Sequence, residues 1–321
     1  MKRVLVIRFS ALGDVAMLVP IVRAAAEQYP EVSFTMLSQQ RFADLFAGMP
    51  SNVTFHGVDL KKQSLHEIVN GLGKFDLVAD MHSVIRSVYI RAAMRLKGAR
   101  VASIHKGRWE KRQLTSGKIH TPLKHTTERY ADVFAALDLS GLSRVCLGFA
   151  SGSPRFGLGI APFAAHPGKI YPIDRMERVV ELLSQAGVPI TLFGGGKAEQ
   201  EVLGAWANKY QGVESVAGKY RMAQELELIG RLKLMVTMDS GNMHLASLVG
   251  TRVISIWGAT HPYAGFLGYG QQESDCIQRD LPCRPCSIYG NKPCRFGDYR
   301  CLDIAPEEIA QTILKAYEDR A

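Results

Sequence analysis

Short apolar, β-branched runs alternate along the chain with stretches whose apolar positions recur every three or four residues. Residues 4–9, 32–37, 53–58, 76–81 and 101–106 read as strands in the first half, and 159–163, 188–193, 234–238 and 253–257 in the second. Helical periodicity lies between them near 14–28, 84–97, 174–186, 197–210, 222–232 and 241–249. Apolar strands with almost no polar interruption, alternating with helices, indicate parallel sheets covered on both faces. Ser151-Gly152-Ser153-Pro154 breaks the series and reads as a linker. The pattern predicts two α/β domains of similar size, 1–150 and 151–321. A last helix is expected over 306–318: Pro306 suits its first turn, Glu307 and Glu308 its positive end, and Ile309, Ile313 and Tyr317 share one face.

Composition keeps this picture within ordinary globular chemistry. The 321 residues are 47% hydrophobic and 21% charged. No apolar run reaches the roughly 18 residues that suggest a membrane helix. The opening Met1–Ile7 briefly resembles a signal peptide, but Arg8 and Asp14 interrupt it. A cytoplasmic location is therefore expected, with the Asn52-Val53-Thr54 sequon unglycosylated. The net charge of +9 is unevenly placed. Residues 1–150 hold 21 Lys+Arg against 12 Asp+Glu, whereas the remainder holds 18 of each. Residues 86–125 carry eleven basic side chains and one acid, Glu110. This stripe is either a solvated basic face or a surface for an anionic partner: nucleic acid, a phosphorylated glycolipid or a membrane. Tyr89 and Trp109 are its only aromatic residues, which argues against a platform for stacking single-stranded bases.

Candidate chemistry falls at strand ends. Leu234–Met238 runs into Asp239-Ser240-Gly241-Asn242, with His244 about one turn further on. A strand entering a helix N-terminus presents free amide N–H groups and a positive dipole end, a place for a phosphate. Asp239 reads equally as a helix cap, and His244 as a satisfied core histidine. The first strand ends in Arg8-Phe9-Ser10-Ala11-Leu12-Gly13-Asp14. Gly13 permits a tight turn or close ligand approach, and Asp14 either caps the helix or serves as a general base. The spacing is not that of a nicotinamide-binding glycine fingerprint. Lys169 lies in a Pro/Gly loop and reads either as a surface lysine or as a point charge on a phosphate. Gly194-Gly195-Gly196 follows a strand, with Glu199 either a dipole partner of the next helix or an acceptor for a ribose or base. Five of six cysteines come late: Cys276, Cys283, Cys286, Cys294 and Cys301. Cys283-Arg-Pro-Cys286 has zinc-ligand spacing, and Cys294 and Cys301 complete a possible structural four-thiolate set; the alternative is reduced cysteines in a tight loop.

Taken in order, these segments resemble the heptosyltransferases of glycosyltransferase family 9, which add heptose to the lipopolysaccharide inner core. The resemblance is carried by Arg8–Asp14, Asp76-Leu-Val-Ala-Asp-Met-His82 with Arg86-Ser87, His125-Thr-Thr-Glu-Arg129, Lys169-Ile-Tyr-Pro172, Asp239-Ser-Gly-Asn-Met-His244, Gly258-Ala-Thr-His-Pro262 and the cysteine loop. Asn242 stands where the family often has proline, and the triple glycine is richer than the usual loop. The resemblance implies a GT-B fold of two facing Rossmann-like domains, with the last helix crossing back to the first. It implies inverting transfer of heptose from a nucleotide-activated donor, usually ADP-linked. Asp14 matches the catalytic base, Lys169, Glu199, Asp239, Ser240, Gly241, Asn242 and His244 the donor side, and Arg8, Ser10, Gly13 and Arg86 the acceptor side. No cofactor is expected for catalysis, because helix amides and Lys169 can hold the departing diphosphate and the chain has no Asp-x-Asp. The implied partners are a nucleotide sugar and an anionic lipopolysaccharide core met at the inner membrane, with no nucleic acid. The alternatives are transfer of a different sugar and a two-domain sugar-nucleotide epimerase; a nucleic-acid binder using the basic stripe is a third class.

Overall fold

The computed structural model describes residues 1–143, 145 and 155–319. The expected linker and the boundary at 150 lie outside these residues. Contacts divide the chain into two compact units, Met1–Lys106 with Lys124–Cys146, and Gly107–Leu123 with Leu147–Ala321.

The first unit is built on β1 (Lys2–Ile7), β2 (Val32–Gln39), β3 (Val53–Val58), β4 (Leu77–Asp80) and β5 (Arg100–Ser103), all parallel, in the order β3-β2-β1-β4-β5. Its helices are α1 (Leu12–Gln28), α2 (Leu65–Gly71) and α3 (Ile85–Leu96). Next in the chain, α4 (Arg108–Thr115) groups with the second unit, and α5 (Thr126–Ala135) returns to the first. Residues 4–7 of β1 are all fully buried because helices cover both faces. Leu5 and Ile7 pack with Ile68 of α2 and with Ile90 and Met94 of α3. α1 packs with α5, and Phe34 of β2 meets Phe134 edge-on at 6.1 Å.

The second unit follows the same plan. β6 (Leu158–Ala161), α6 (Ile173–Gln185), β7 (Ile190–Leu192), α7 (Lys197–Lys209), β8 (Val213–Ser215), α8 (Met222–Arg231), β9 (Leu234–Met238), α9 (Gly241–Leu248), β10 (Arg252–Trp257), β11 (Cys276–Gln278) and α10 (Pro306–Glu318) follow in chain order. The sheet order is β11-β10-β9-β6-β7-β8, again all parallel. The last helix packs within this unit. Ile309, Ala310 and Ile313 are buried in the same core as Val179 and Leu183 of α6 and Ile160 of β6. An apolar helix face must find an apolar partner, and α6 supplies it.

Both sheets are doubly wound. The chain moves outward from β1 through β2 and β3, then returns to place β4 on the other side of β1. It does the same from β6 through β7 and β8 before placing β9 beside β6. The loops after β1 and β4, and those after β6 and β9, therefore diverge at a topological switch point, where such sheets bind ligands.

Ile313→Ala removes a fully buried side chain from the α10–α6 contact and is expected to cost about 2–5 kcal/mol. Urea unfolding followed by tryptophan fluorescence measures this directly, since Trp109, Trp206 and Trp257 all belong to the second unit; an unchanged midpoint would contradict the packing described.

Candidate functional site

At the first switch point a buried arginine organises the loop. Arg8, 7% exposed, donates from Nε to the Ser10 carbonyl (2.7 Å) and from Nη1 to the Met81 carbonyl (2.6 Å). Its Nη2 lies 2.7 Å from Oδ2 of Asp14, and its guanidinium stands 5.9 Å from the Tyr130 ring centroid. The Tyr130 hydroxyl donates to the Asp14 carbonyl at 3.2 Å, and burial pushes its ionisation far above the usual range. Asp14 Oδ2 also accepts from the Ala11 N–H at 3.2 Å. Gly13 has ordinary helical backbone in the first turn of α1, so no turn requirement explains it. Arg86 is exposed in the first turn of α3.

The loop after β4 supplies His82. Its Nδ1 faces the Phe9 N–H and its Nε2 the Ser10 hydroxyl, each at 3.4 Å. Acceptance from Phe9 at Nδ1 places the ring proton on Nε2, directed at Ser10. Burial, then the positive charges of Arg8 and Lys106, lower its pKa to about 4, so the ring is neutral near pH 7. Asp80, fully buried, fixes this turn: Oδ1 accepts from the His82 and Ser83 N–H groups (2.9 and 2.8 Å), and Oδ2 from Ser87 and Arg91 (both 3.0 Å). Neither His82 nor Asp80 had been given a role from sequence. An acid closing a strand beneath a histidine was the only available signal.

At the second switch point Lys169 and Asp239 meet. Lys169 Nζ lies 2.8 Å from Asp239 Oδ2, with Asp239 almost fully buried. Ser240, not Asp239, is the residue before α9, and its hydroxyl bonds Thr237 at 2.9 Å instead of capping the helix. The amides of Gly241, Asn242 and Met243 are thus left without a side-chain cap, an anion-binding arrangement. His244 is buried in the same short helix. Glu199 turns to its own loop: Oε2 accepts from the Gly195 N–H at 2.7 Å. A Cβ on Gly194 would approach Leu203 Cδ1 to 2.8 Å, so packing by α7 itself accounts for a glycine there.

The late loop braces Lys169. A Cβ on Gly258 would lie 2.5 Å from the Gly168 carbonyl oxygen, and one on Gly290, at φ +71°, would lie 2.6 Å from Lys169 Cγ. The Ala259 N–H donates to the Gly168 carbonyl at 2.8 Å, and the Tyr171 hydroxyl to the Ile304 carbonyl at 2.6 Å. Arg284, buried, ties the loop down. It donates to the carbonyls of Gly258 (2.6 Å), Thr260 (2.8 Å), Trp257 (3.3 Å) and Arg279, and to Gln278 Oε1 (3.0 Å).

Cys283 and Cys286 flank Arg284 in this loop. Among the described residues no three His, Cys, Asp or Glu side chains gather to hold an ion, and Cys276, Cys283, Cys286, Cys294 and Cys301 are free thiols. Cys286 donates instead to the Ala259 carbonyl, 3.8 Å, and Cys294 to Asp298, 3.9 Å. Burial pushes the Cys301 thiol up to about 11.

The family model described as glycosyltransferase family 9 (heptosyltransferase) matches residues 73–299. Lipooligosaccharide heptosyltransferase 2 of Campylobacter jejuni is 24% identical over 311 residues, covering 95% of this chain and 96% of the relative. Lipopolysaccharide heptosyltransferase 1 of Pseudomonas aeruginosa is 27% identical over 350 residues, covering 95% and 92%. Among solved structures, a family 9 glycosyl transferase from Veillonella parvula superposes with a TM-score of 0.76 at 18% identity, covering 98% and 97% of the two chains. Escherichia coli heptosyltransferase WaaC with ADP-2-deoxy-2-fluoro heptose gives 0.71 at 18%, covering 98% and 99%. The fold is thus the GT-B architecture.

Two predictions follow from this geometry. Gly258→Ala drives a methyl into the Gly168 backbone and is expected to speed amide hydrogen exchange around Lys169; unchanged exchange would remove the bracing role. His82 and His261 both have pKa values lowered to about 4, by burial first and then by nearby arginine. The unfolded chain takes up these protons near pH 6.5 while the folded chain resists until about pH 4. Their contribution is therefore whole above pH 6.5 and lost as pH falls toward 4. The double variant His82→Gln/His261→Gln should show a shallower fall in melting temperature across that window.

Proposed function

The chain belongs to glycosyltransferase family 9, and from that premise we propose that it transfers a heptose from ADP-heptose to the lipopolysaccharide inner core with inversion, using Asp14 as general base. The observation that carries this reading is the Asp14 carboxylate. Arg8 and the Ala11 N–H both meet it at Oδ2. Oδ1 is left to accept an acceptor hydroxyl proton, and the ion pair fixes the direction in which it points. Inversion needs a base that activates the acceptor on the face of the sugar opposite the departing diphosphate.

The donor belongs to the second unit. The uncapped amides of Gly241–Met243 and the Lys169 ammonium suit a diphosphate whose charge grows as the sugar leaves. Lys169 acts as a point charge held at 2.8 Å by Asp239, and Asp239 and His244 are the groups we assign to the sugar hydroxyls. These groups stabilise the leaving group without a metal. Glu199 needs to release Gly195 before it can serve a ribose. On the acceptor side, the Nε2 proton of His82 is directed at Ser10 Oγ, which leaves the Ser10 hydroxyl to donate to an acceptor oxygen, beside the buried positive charge of Arg8.

The test is Asp14→Asn, which keeps size and loses the base. Turnover should fall by about 10²–10⁴, while calorimetric affinity for ADP-heptose stays close to wild type and a chelator changes neither. Turnover near wild type would remove Asp14 as base, and loss of wild-type transfer on chelation would remove the metal-free scheme.

A further inference from the structure

α3 carries two apolar faces, and only one has a partner. Ile90 and Met94 are fully buried against the first sheet. On the opposite side Ile85 is 89% exposed, Val88 40%, Tyr89 45% and Leu96 91%, with Ala92 exposed between them. The positions 85, 88, 89, 92 and 96 follow helical spacing, so these side chains form one outward stripe. Isolated exposed apolar residues are commonplace, but a stripe along a whole helix calls for a partner.

Charge identifies the partner. α3 contains no acidic residue, and Arg86 and Arg95 flank the stripe, both exposed. The other arginines nearby are occupied: Arg91 pairs with Asp80 at 3.0 Å and Arg100 with Asp138 at 2.5 Å. A second copy of the chain seated on this face by two-fold symmetry would bring Arg86 and Arg95 against their like. An apolar stripe with a cationic rim and a tyrosine fits the boundary between acyl chains and anionic headgroups. The helix is also fixed in place, since Asp80 holds both Ser87 and Arg91. No described helix is long and apolar enough to cross a membrane, so attachment here is at the surface.

We propose that the outer face of α3 docks the protein on an anionic lipid bilayer. The proposal rests on the reading that the acceptor is a lipid, and it gives that reading a surface.

The full chain is sedimented with vesicles of phosphatidylethanolamine and phosphatidylglycerol, and with vesicles of phosphatidylcholine alone. Wild type should bind the anionic vesicles preferentially and release as salt is raised. The variant Val88→Ser/Leu96→Ser, altered only at exposed positions, should lose at least about tenfold in partitioning, yet transfer sugar normally to an acyl-free, water-soluble acceptor. Equal partitioning of variant and wild type, equal binding to neutral vesicles, or a wild-type dimer that the variant dissociates would each overturn the proposal. Failure of wild type to act on the soluble acceptor would count against the transferase reading, while the vesicle measurements still decide the docking face.

Discussion

Parallel strands release their loops at the same end of a sheet, and where the winding reverses two neighbouring loops part instead of packing on each other. Pairing of β1 with β4, and of β6 with β9, creates that opening once in each unit. Buried charges gather at both openings. Arg8 and His82 come from the two loops that part at the first opening, and Lys169 and Asp239 from the two that part at the second. Charge can be buried there because each group meets its opposite or a carbonyl: Arg8 with Asp14 and Met81, Lys169 with Asp239.

The two openings are supported differently. The first relies on side chains, with one carboxylate, Asp80, taking four donors. The second relies on backbone proximity. Gly168, Gly258 and Gly290 bring three loops within a distance that no Cβ allows, and Arg284 fastens the outer loop through four main-chain carbonyls. A guanidinium offers five donors in a rigid fork, which suits several carbonyls at once better than a single ammonium would.

The core strands were legible in the sequence because burial on both faces leaves an unbroken apolar run. β8 and β11 are the edge strands of their sheet and bury one residue each, so they carry no such run. α2 escaped notice although Ser64 and Glu67 form a reciprocal cap that the Ser-x-x-Glu spacing announces. α4 reads Arg-Trp-Glu-Lys-Arg-Gln-Leu-Thr and has almost no apolar periodicity to find. The amphipathic face of α10 was plain, but periodicity states that a partner is needed without saying which. At the sites, Lys169 and Asp239 were each singled out on local grounds, and their pairing depends on strand order, which local pattern does not contain. Arg284 bonds carbonyls up to 27 residues away, and no residue type marks a carbonyl as a target. Cys283, Cys286, Cys294 and Cys301 lie near enough to shift one another's thiol ionisation, a proximity that the spacing of the first pair alone does not contain.

Asp80 joins parts of the first unit that otherwise have separate duties. Through the His82 amide it sets the turn beside Ser10, and through Ser87 and Arg91 it seats α3. Between these, the Met81 carbonyl receives Arg8, which in turn grips Asp14. One carboxylate and one peptide thus separate the helix α3 from the arginine paired with Asp14, so that a single buried residue, Asp80, anchors the outer helix and the inner loop together.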